Sequence, residues 1–120
     1  MDIRLKRAYE EPARSDGPRV LVDRIWPRGV SKEDADIACW LKGLAPSTEL
    51  RKWFGHDREK WSEFRERYLN ELTSDDARDD LEALKKLLED CDRITLVFAA
   101  KDTEHNNAVA LRDFVLNDRF

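Results

Sequence analysis

The chain has 120 residues, which suits one domain and is too short for two hydrophobic cores of ordinary size. Apolar residues make up 41% of it, enough for a core, and no run approaches the roughly 20 apolar residues of a membrane span. The net charge of −4 disfavours nucleic acid as a partner, because nucleic-acid-binding domains present a basic surface.

The first half of the chain contains two predicted strands. Residues 3–7 alternate between apolar and basic side chains, which is typical of a strand with one solvated face. Residues 20–26 are mostly apolar and end at Pro27, which cannot donate a ladder hydrogen bond. This pattern predicts a buried strand, with Asp23 and Arg24 inside it and pointing to opposite faces.

The middle of the chain is less clear. Residues 37–42 fit a strand or a helix, and the following Gly43 favours a fourth strand. Ser47 or Thr48 then begins a short helix that Gly55 ends, since hydroxyl side chains cap helix N-termini and glycine favours C-termini.

The second half has the strongest patterns. Residues 58–72 and 75–90 carry apolar side chains at spacings of three and four, which predicts two amphipathic helices. Residues 94–100 are apolar on both faces and predict a buried strand. A polar loop follows, and a last helix is predicted over residues 106–117.

Strands buried on both faces imply a sheet covered by helices. We therefore predict an α/β fold with a mainly parallel four-stranded sheet flanked by helices, in a single domain over residues 1–120. Residues 10–18 form a short link for a right-handed crossover, so an antiparallel pairing of the first strand stays open.

Nearly the whole chain resembles a known family. The resemblance is carried by three stretches: VDRIWPRG at 22–29, APSTELRKWF at 45–54 and AAKDTEHNNA at 99–108. These are similar to the YeaO-like branch of a large bacterial and archaeal family of domains of unknown function. The resemblance implies a Rossmann-like layered fold and no assigned activity. Longer relatives carry a cysteine and a Cys-His-Arg-like triplet near the last strand, which this chain lacks, so their thiol or metal chemistry is not implied here.

The cysteines and histidines do not form a metal motif. Cys39 and Cys91 lie far apart in the sequence, as do His56 and His105, so no metal or cofactor is predicted. The resemblance also argues against Cys39 as a nucleophile, because relatives usually have an acidic residue there. The first residues do not form an apolar signal segment. We therefore expect a cytoplasmic protein with unpaired thiols and a buried Cys91 that extends the stripe of the preceding helix.

Polar residues follow two of the predicted strands. Ligands of open parallel sheets bind outside the carboxyl ends of the strands. Arg28 follows the second strand, and five candidates follow the last one: Lys101, Asp102, His105, Asn106 and Asn107. Both strands are apolar on two faces, so we expect them to be neighbours and their loops to meet.

Arg28 and Lys101 are the candidate anion-binding residues. Arg28 combines a planar fork of donors with the adjacent Gly29, which permits close backbone approach. The alternative is an Arg28 that caps helix carbonyls or pairs with Asp102. Residues 1–60 carry 13 basic and 11 acidic side chains, and residues 61–120 carry 9 and 15, which favours an anion near the first half. A chance imbalance on solvated helices explains this equally well.

His105 and Asp102 are the candidate catalytic residues. The imidazole would transfer protons and the carboxylate would orient it. The alternative for His105 is a helix-start residue bonded to backbone or water. Asn106 and Asn107 are candidate substrate-binding amides, and His56 is expected to be structural.

Two functions stay open at this point. The first is a small enzyme acting on a phosphorylated or nucleotide-like metabolite at the carboxyl edge of the sheet. The second is a non-catalytic binding or regulatory module for a small anion or a protein partner. A cleft that His105 and Asp102 face favours the enzyme, and side chains locked in ion pairs favour the module.

Overall fold

A computed structural model describes residues 2–117 of the chain. Within them, the strands are β1 (Asp2–Arg7), β2 (Arg19–Leu21), β3 (Cys39–Trp40) and β4 (Arg93–Phe98). The helices are α1 (Lys32–Ala35), α2 (Thr48–Phe54), α3 (Trp61–Leu72), α4 (Arg78–Asp90) and α5 (Asn107–Leu116). Short 3₁₀ turns lie at Arg14–Asp16, Lys42–Leu44, Arg58–Lys60 and Asp75–Ala77. None of the helices described here has the length and apolar character needed to cross a membrane.

The four strands form one sheet in the order β1-β4-β2-β3, and every pairing is parallel. The predicted α/β class is therefore confirmed, including the weak strand in the 37–42 region. The antiparallel pairing left open for the first strand is wrong, because Ile3 pairs with Ile94 in a parallel register. β4 lies between β1 and β2, so residues 10–18 join strands that are not neighbours.

β2 is shorter than the prediction of residues 20–26. It ends at Leu21, and Val22 still donates its N–H to the Val97 carbonyl at 3.1 Å. At the next step the Asp23 carboxylate, instead of a strand carbonyl, accepts the N–H of Ala99 at 2.8 Å. A side-chain carboxylate thus takes the place of the backbone carbonyl that would accept the next hydrogen bond of the β-ladder. The placement of Asp23 and Arg24 inside the strand was wrong, since both lie beyond its end.

The main core lies on the helix-covered face of the sheet. Its fully buried side chains include Phe64 and Tyr68 of α3, Leu84 of α4 and Leu96 of β4. The other face carries a smaller cluster: Ala8, Leu21 and Val97, with Trp26, Ile37 and Trp40 packed against them. Rings of two tryptophans in that cluster meet edge to face with centroids 5.4 Å apart. The long helices α2 to α5 contribute to the first core alone.

Both cysteines are free thiols, as expected. The expected burial of Cys91 is wrong, because the residue follows the end of α4 and is only partly buried. Cys39 in β3 is also partly buried, and burial together with the nearby Asp80 carboxylate raises its thiol pKa.

Candidate functional site

A cavity of about 720 Å³ lies at the carboxyl ends of the four strands, and we call it the cleft. Segments after every strand line it: Tyr9 after β1, residues 23–28 after β2, Ala45 and Pro46 after β3, and residues 99–102 and 105–107 after β4. The remaining lining comes from α2 and its end and from α3: Arg51, Phe54, His56 and Phe64. This is the position where open parallel sheets bind ligands.

The structure brings together all six candidate residues predicted from the sequence. β2 and β4 are neighbours, as expected, with Val20 paired to Leu96. The loops that follow them therefore meet, and each candidate lines the cleft: Arg28, Lys101, Asp102, His105, Asn106 and Asn107. Their proximity is a geometric result, and their binding or catalytic roles stay predictions.

Arg28 occupies the tip of a tight turn. Val30 donates its N–H to the Pro27 carbonyl at 3.4 Å, and Gly29 has φ of 80°, the positive value that the third residue of a type II turn requires. The Trp26 indole anchors the turn by donating to the Val30 carbonyl at 2.7 Å. The Arg28 side chain is exposed and makes no hydrogen bond or ion pair with any other residue in the described part of the chain.

Asp102 organises the loop after β4. Its carboxylate accepts the backbone N–H groups of Glu104 and His105 at 2.9 and 3.0 Å and lies 3.1 Å from His105 Nδ1. Arg58 donates to it at 3.1 Å, so its cationic partner is Arg58 and not Arg28. The Glu104 N–H and the other bonds outweigh desolvation and lower the pKa of Asp102 to about 2. Asp102 therefore shows the feature expected of an enzyme, since it lines the cleft, and also the feature expected of a binding module, since it is held in an ion pair.

The two asparagines hold the site's loops. Asn106 caps α5 by accepting the Val109 N–H at 3.0 Å, and its amide donates to the Asp102 carbonyl at 2.8 Å. The Asn107 amide donates to the Val22 carbonyl at 2.9 Å and to Asp23 at 3.1 Å. Each side chain is engaged by the protein itself, so their observed contacts are structural.

Asp23 is a site residue that the sequence analysis missed. Besides Ala99 and Asn107, its neighbours include Trp40, whose indole donates to the Asp23 carbonyl at 2.7 Å. Burial raises the pKa of Asp23, although the bonds from Ala99 and Asn107 and the charge of Arg51 oppose this. Asp23 thereby links the ends of β2 and β4. The available signal was an acidic residue interrupting an apolar run.

Three more lining residues come from outside the predicted set. Arg24 donates to the carbonyls of Ala45 and Pro46 at 3.2 and 3.3 Å, which ties two loops together. Arg51 is exposed on α2, and its side chain makes no hydrogen bond or ion pair within residues 2–117. His56 follows the helix end with φ of 60°, a left-handed conformation that side chains rarely adopt.

The cleft is locally positive in an acidic chain. Arg28, Arg51 and Lys101 are exposed cations on its lining. The carboxylates of Asp23 and Asp102 also line it, but both already accept hydrogen bonds from the protein. An anion entering the cleft would therefore meet free cationic donors.

The polar side chains of the cleft lining do not include the small hydroxyl and thiol side chains, within the part of the chain that the structure describes. No serine, threonine or cysteine is among its lining residues in the described part of the chain. Within residues 2–117, no group of three or more His, Cys, Asp or Glu side chains is arranged to hold a metal ion.

Comparison with known proteins gives the family. The model of a family described as "Inactive DUF488-N3 subclade" matches residues 2–119. The chain belongs to this family. It is 40% identical to "Uncharacterized protein YeaO" of Escherichia coli over 117 residues, 96% of this chain and 97% of that protein. It is 41% identical to "Uncharacterized protein Rv3073c" of Mycobacterium tuberculosis, covering 98% and 95%. The YeaO-like resemblance is thus confirmed, and no solved structure matches significantly.

Proposed function

We propose that the protein is a non-catalytic binding module that holds a small phosphorylated metabolite in the cleft. The observation that carries this proposal is that three exposed cations of the cleft lining, Arg28, Arg51 and Lys101, make no side-chain hydrogen bond or ion pair within residues 2–117, in a chain with net charge −4. Because no carboxylate of the described residues holds these three side chains in an ion pair, an anion entering the cleft would meet available cationic donors.

Four observations favour binding over turnover. The lining contains no serine, threonine or cysteine among the described residues, and Asp23 and Asp102 are held by hydrogen bonds. The low pKa of Asp102 also makes it a poor proton acceptor near neutral pH. The description of the family as inactive supports the same reading. These points support the binding module over the enzyme, the two functions that the sequence leaves open.

Removing the Arg28 guanidinium should weaken binding of inorganic phosphate and ribose 5-phosphate. We expect Arg28→Ala to lose about 1.5–3 kcal/mol of binding free energy, or roughly 10- to 150-fold in Kd, the range for a charged hydrogen bond. Isothermal titration calorimetry at low salt measures the change. The melting temperature should stay the same, because the side chain has no partner in the described part of the chain.

Arg14→Ala is the matched control for this experiment. Arg14 is also exposed and lies outside the cleft. Its substitution by alanine removes the same positive charge from the protein as Arg28→Ala does. Its substitution should leave phosphate affinity nearly unchanged. Equal weakening by both substitutions would point to a general charge effect, and no measurable anion binding by the unmodified protein would refute the proposal.

An enzyme is the second candidate, and the His105–Asp102 pair favours it. Nδ1 of His105 lies 3.1 Å from the carboxylate, the arrangement of an oriented general base, and the ring borders the cleft. Under our proposal, phosphate release from a panel of phosphomonoesters should equal that of a His105→Asn variant. Turnover by the unmodified protein that His105→Asn abolishes would instead establish the enzyme.

A further inference from the structure

We infer that the ligand carries a flat aromatic ring, so that the cleft takes an aryl phosphate or a mononucleotide in preference to a bare sugar phosphate. This inference rests on the proposed function, because it concerns the part of the same ligand that lies away from its anionic group. It assigns Tyr9 and Ile25 as the residues that recognise the ring.

Exposed apolar side chains are concentrated at the cleft. Among the described residues, three large hydrophobic side chains are exposed: Tyr9 at 49%, Ile25 at 60% and Leu116 at 52%. Two of the three, Tyr9 and Ile25, line the cleft. Single exposed apolar residues are ordinary on protein surfaces, but a pair on the wall of one cavity is typical of a site for an organic ligand.

The ring of Tyr9 is held in place. Arg7 donates to the carbonyls of Ala99 and Ala100 at 3.2 and 2.9 Å, which fixes its guanidinium at the end of β4. That guanidinium lies over the Tyr9 ring, 5.1 Å from its centroid. Arg7 thus connects the Tyr9 ring to Ala99 and Ala100, which also line the cleft. About half of the Tyr9 side chain remains exposed to solvent.

Ile25 is exposed although its neighbours on both sides are anchored. Asp23 accepts the Ala99 N–H, and Arg24 donates to the carbonyls after β3. On the other side, the Trp26 indole donates to the Val30 carbonyl. The outward position of Ile25 is thus set by a well-bonded loop. Because Ile25 precedes Arg28 by three residues in that loop, apolar surface and positive charge lie close together.

The size of the cavity supports an organic body on the anion. About 720 Å³ falls within the range of roughly 300–1,000 Å³ typical of pockets for organic ligands. A bare phosphate would leave most of this space, and both apolar side chains, in contact with water. A planar ring suits the wall best, since it stacks on the face or edge of a tyrosine and covers an aliphatic side chain.

The test compares four probes on the full chain: inorganic phosphate, ribose 5-phosphate, phenyl phosphate and adenosine 5′-monophosphate. We expect at least one of the two aromatic phosphates to bind about tenfold or more tightly than ribose 5-phosphate, as base–aromatic stacking implies. Tyr9→Ala and Ile25→Ser should remove most of that preference, because they weaken binding of the aromatic phosphates far more than binding of ribose 5-phosphate. Leu116→Ser is the matched control, because Leu116 is similarly exposed outside the cleft.

The outcomes separate this inference from the proposed function. If all four probes bind with similar affinity, or if the Tyr9 and Ile25 substitutions weaken ribose 5-phosphate equally, the ring preference is refuted and anion binding stands. If none of the probes binds, both fail. If Leu116→Ser weakens the aromatic phosphates as much as Tyr9→Ala does, the effect is not one of the cleft and the inference is overturned.

Discussion

Replacing Asp16 with alanine should destabilise the fold by about 3–5 kcal/mol, the range for an uncompensated buried charge. Asp16 and Arg19 are 4% and 2% exposed, and Arg19 Nη1 donates to Asp16 Oδ2 at 2.9 Å. Without the carboxylate, the guanidinium keeps one bond from Nε to the Ala35 carbonyl. Its Nη2 has no hydrogen-bond partner among the described residues even in the intact protein. Urea denaturation followed by circular dichroism measures the loss.

Asp75→Ala provides the control for this substitution. Asp75 also pairs with an arginine, Arg78, but the pair is exposed and should contribute little. A second variant removes both buried charges, Asp16→Ala with Arg19→Met, and should recover much of the lost stability because no fully buried unpaired charge then remains; Lys6, the other partner of Asp16, is only partly buried. Equal stability of the Asp16→Ala and Asp75→Ala variants would contradict the prediction.

The same carboxylate gives the Asp16 experiment a pH readout. Burial raises the pKa of Asp16, but hydrogen bonds from the Ala13 N–H, Arg19 and Lys6 outweigh it and lower the pKa below its ordinary value. A depressed folded-state pKa stabilises the protein above the unfolded value and loses that effect as pH falls through the folded one. The unmodified protein should therefore lose more stability than Asp16→Ala between about pH 5 and pH 3.

Gly17→Ala should be the most damaging of the glycine substitutions. Gly17 has φ of 64° and ψ of −161°, a conformation that is nearly exclusive to glycine. A Cβ at this position would also overlap the carbonyl oxygen of Arg93. Because backbone must move to relieve that overlap, we expect a loss of more than about 2 kcal/mol, beyond the left-handed penalty alone. Chemical denaturation gives the value.

Gly29→Ala isolates the conformational part of this effect. Gly29 has φ of 80°, but a Cβ there would meet no atom within 4 Å. Its substitution should destabilise the protein by about 1–2 kcal/mol, the penalty for a left-handed side chain. If Gly17→Ala is no more harmful than Gly29→Ala, the close approach of Gly17 to β4 does not constrain the fold.

Local side-chain periodicity determined most of the secondary structure. The spacing of apolar residues predicted α3, α4 and α5, and the doubly apolar run over residues 94–100 predicted β4. The same run, together with the one that became β2, also predicted that the loops carrying Arg28 and Lys101 would meet. These features were accessible because a helix or a buried strand is encoded by neighbours within about two turns or one strand length.

The tertiary structure decided where β2 ends and which other side chains border the cleft. β2 stops at Leu21 because the carboxylate of Asp23 takes the N–H of Ala99, 76 residues away in the sequence. Arg51 and His56 border the cleft because Phe54 stacks on Phe64 with centroids 4.3 Å apart, which holds the end of α2 against α3. Contacts of this range leave no periodic signal in the sequence.

Tyr9 shows most clearly the difference between what the sequence predicts and what only tertiary contacts decide. Its sequence neighbourhood predicts only the end of a strand, yet its ring borders the cleft because Arg7 is bonded to the carbonyls of Ala99 and Ala100, just beyond the end of the adjacent strand β4. By itself, then, the sequence determined helices α2 to α5, the central strands and the edge of the sheet where polar residues gather. The composition of the cleft required the folded chain, since it depends on hydrogen bonds and ring contacts between residues that only tertiary packing brings together.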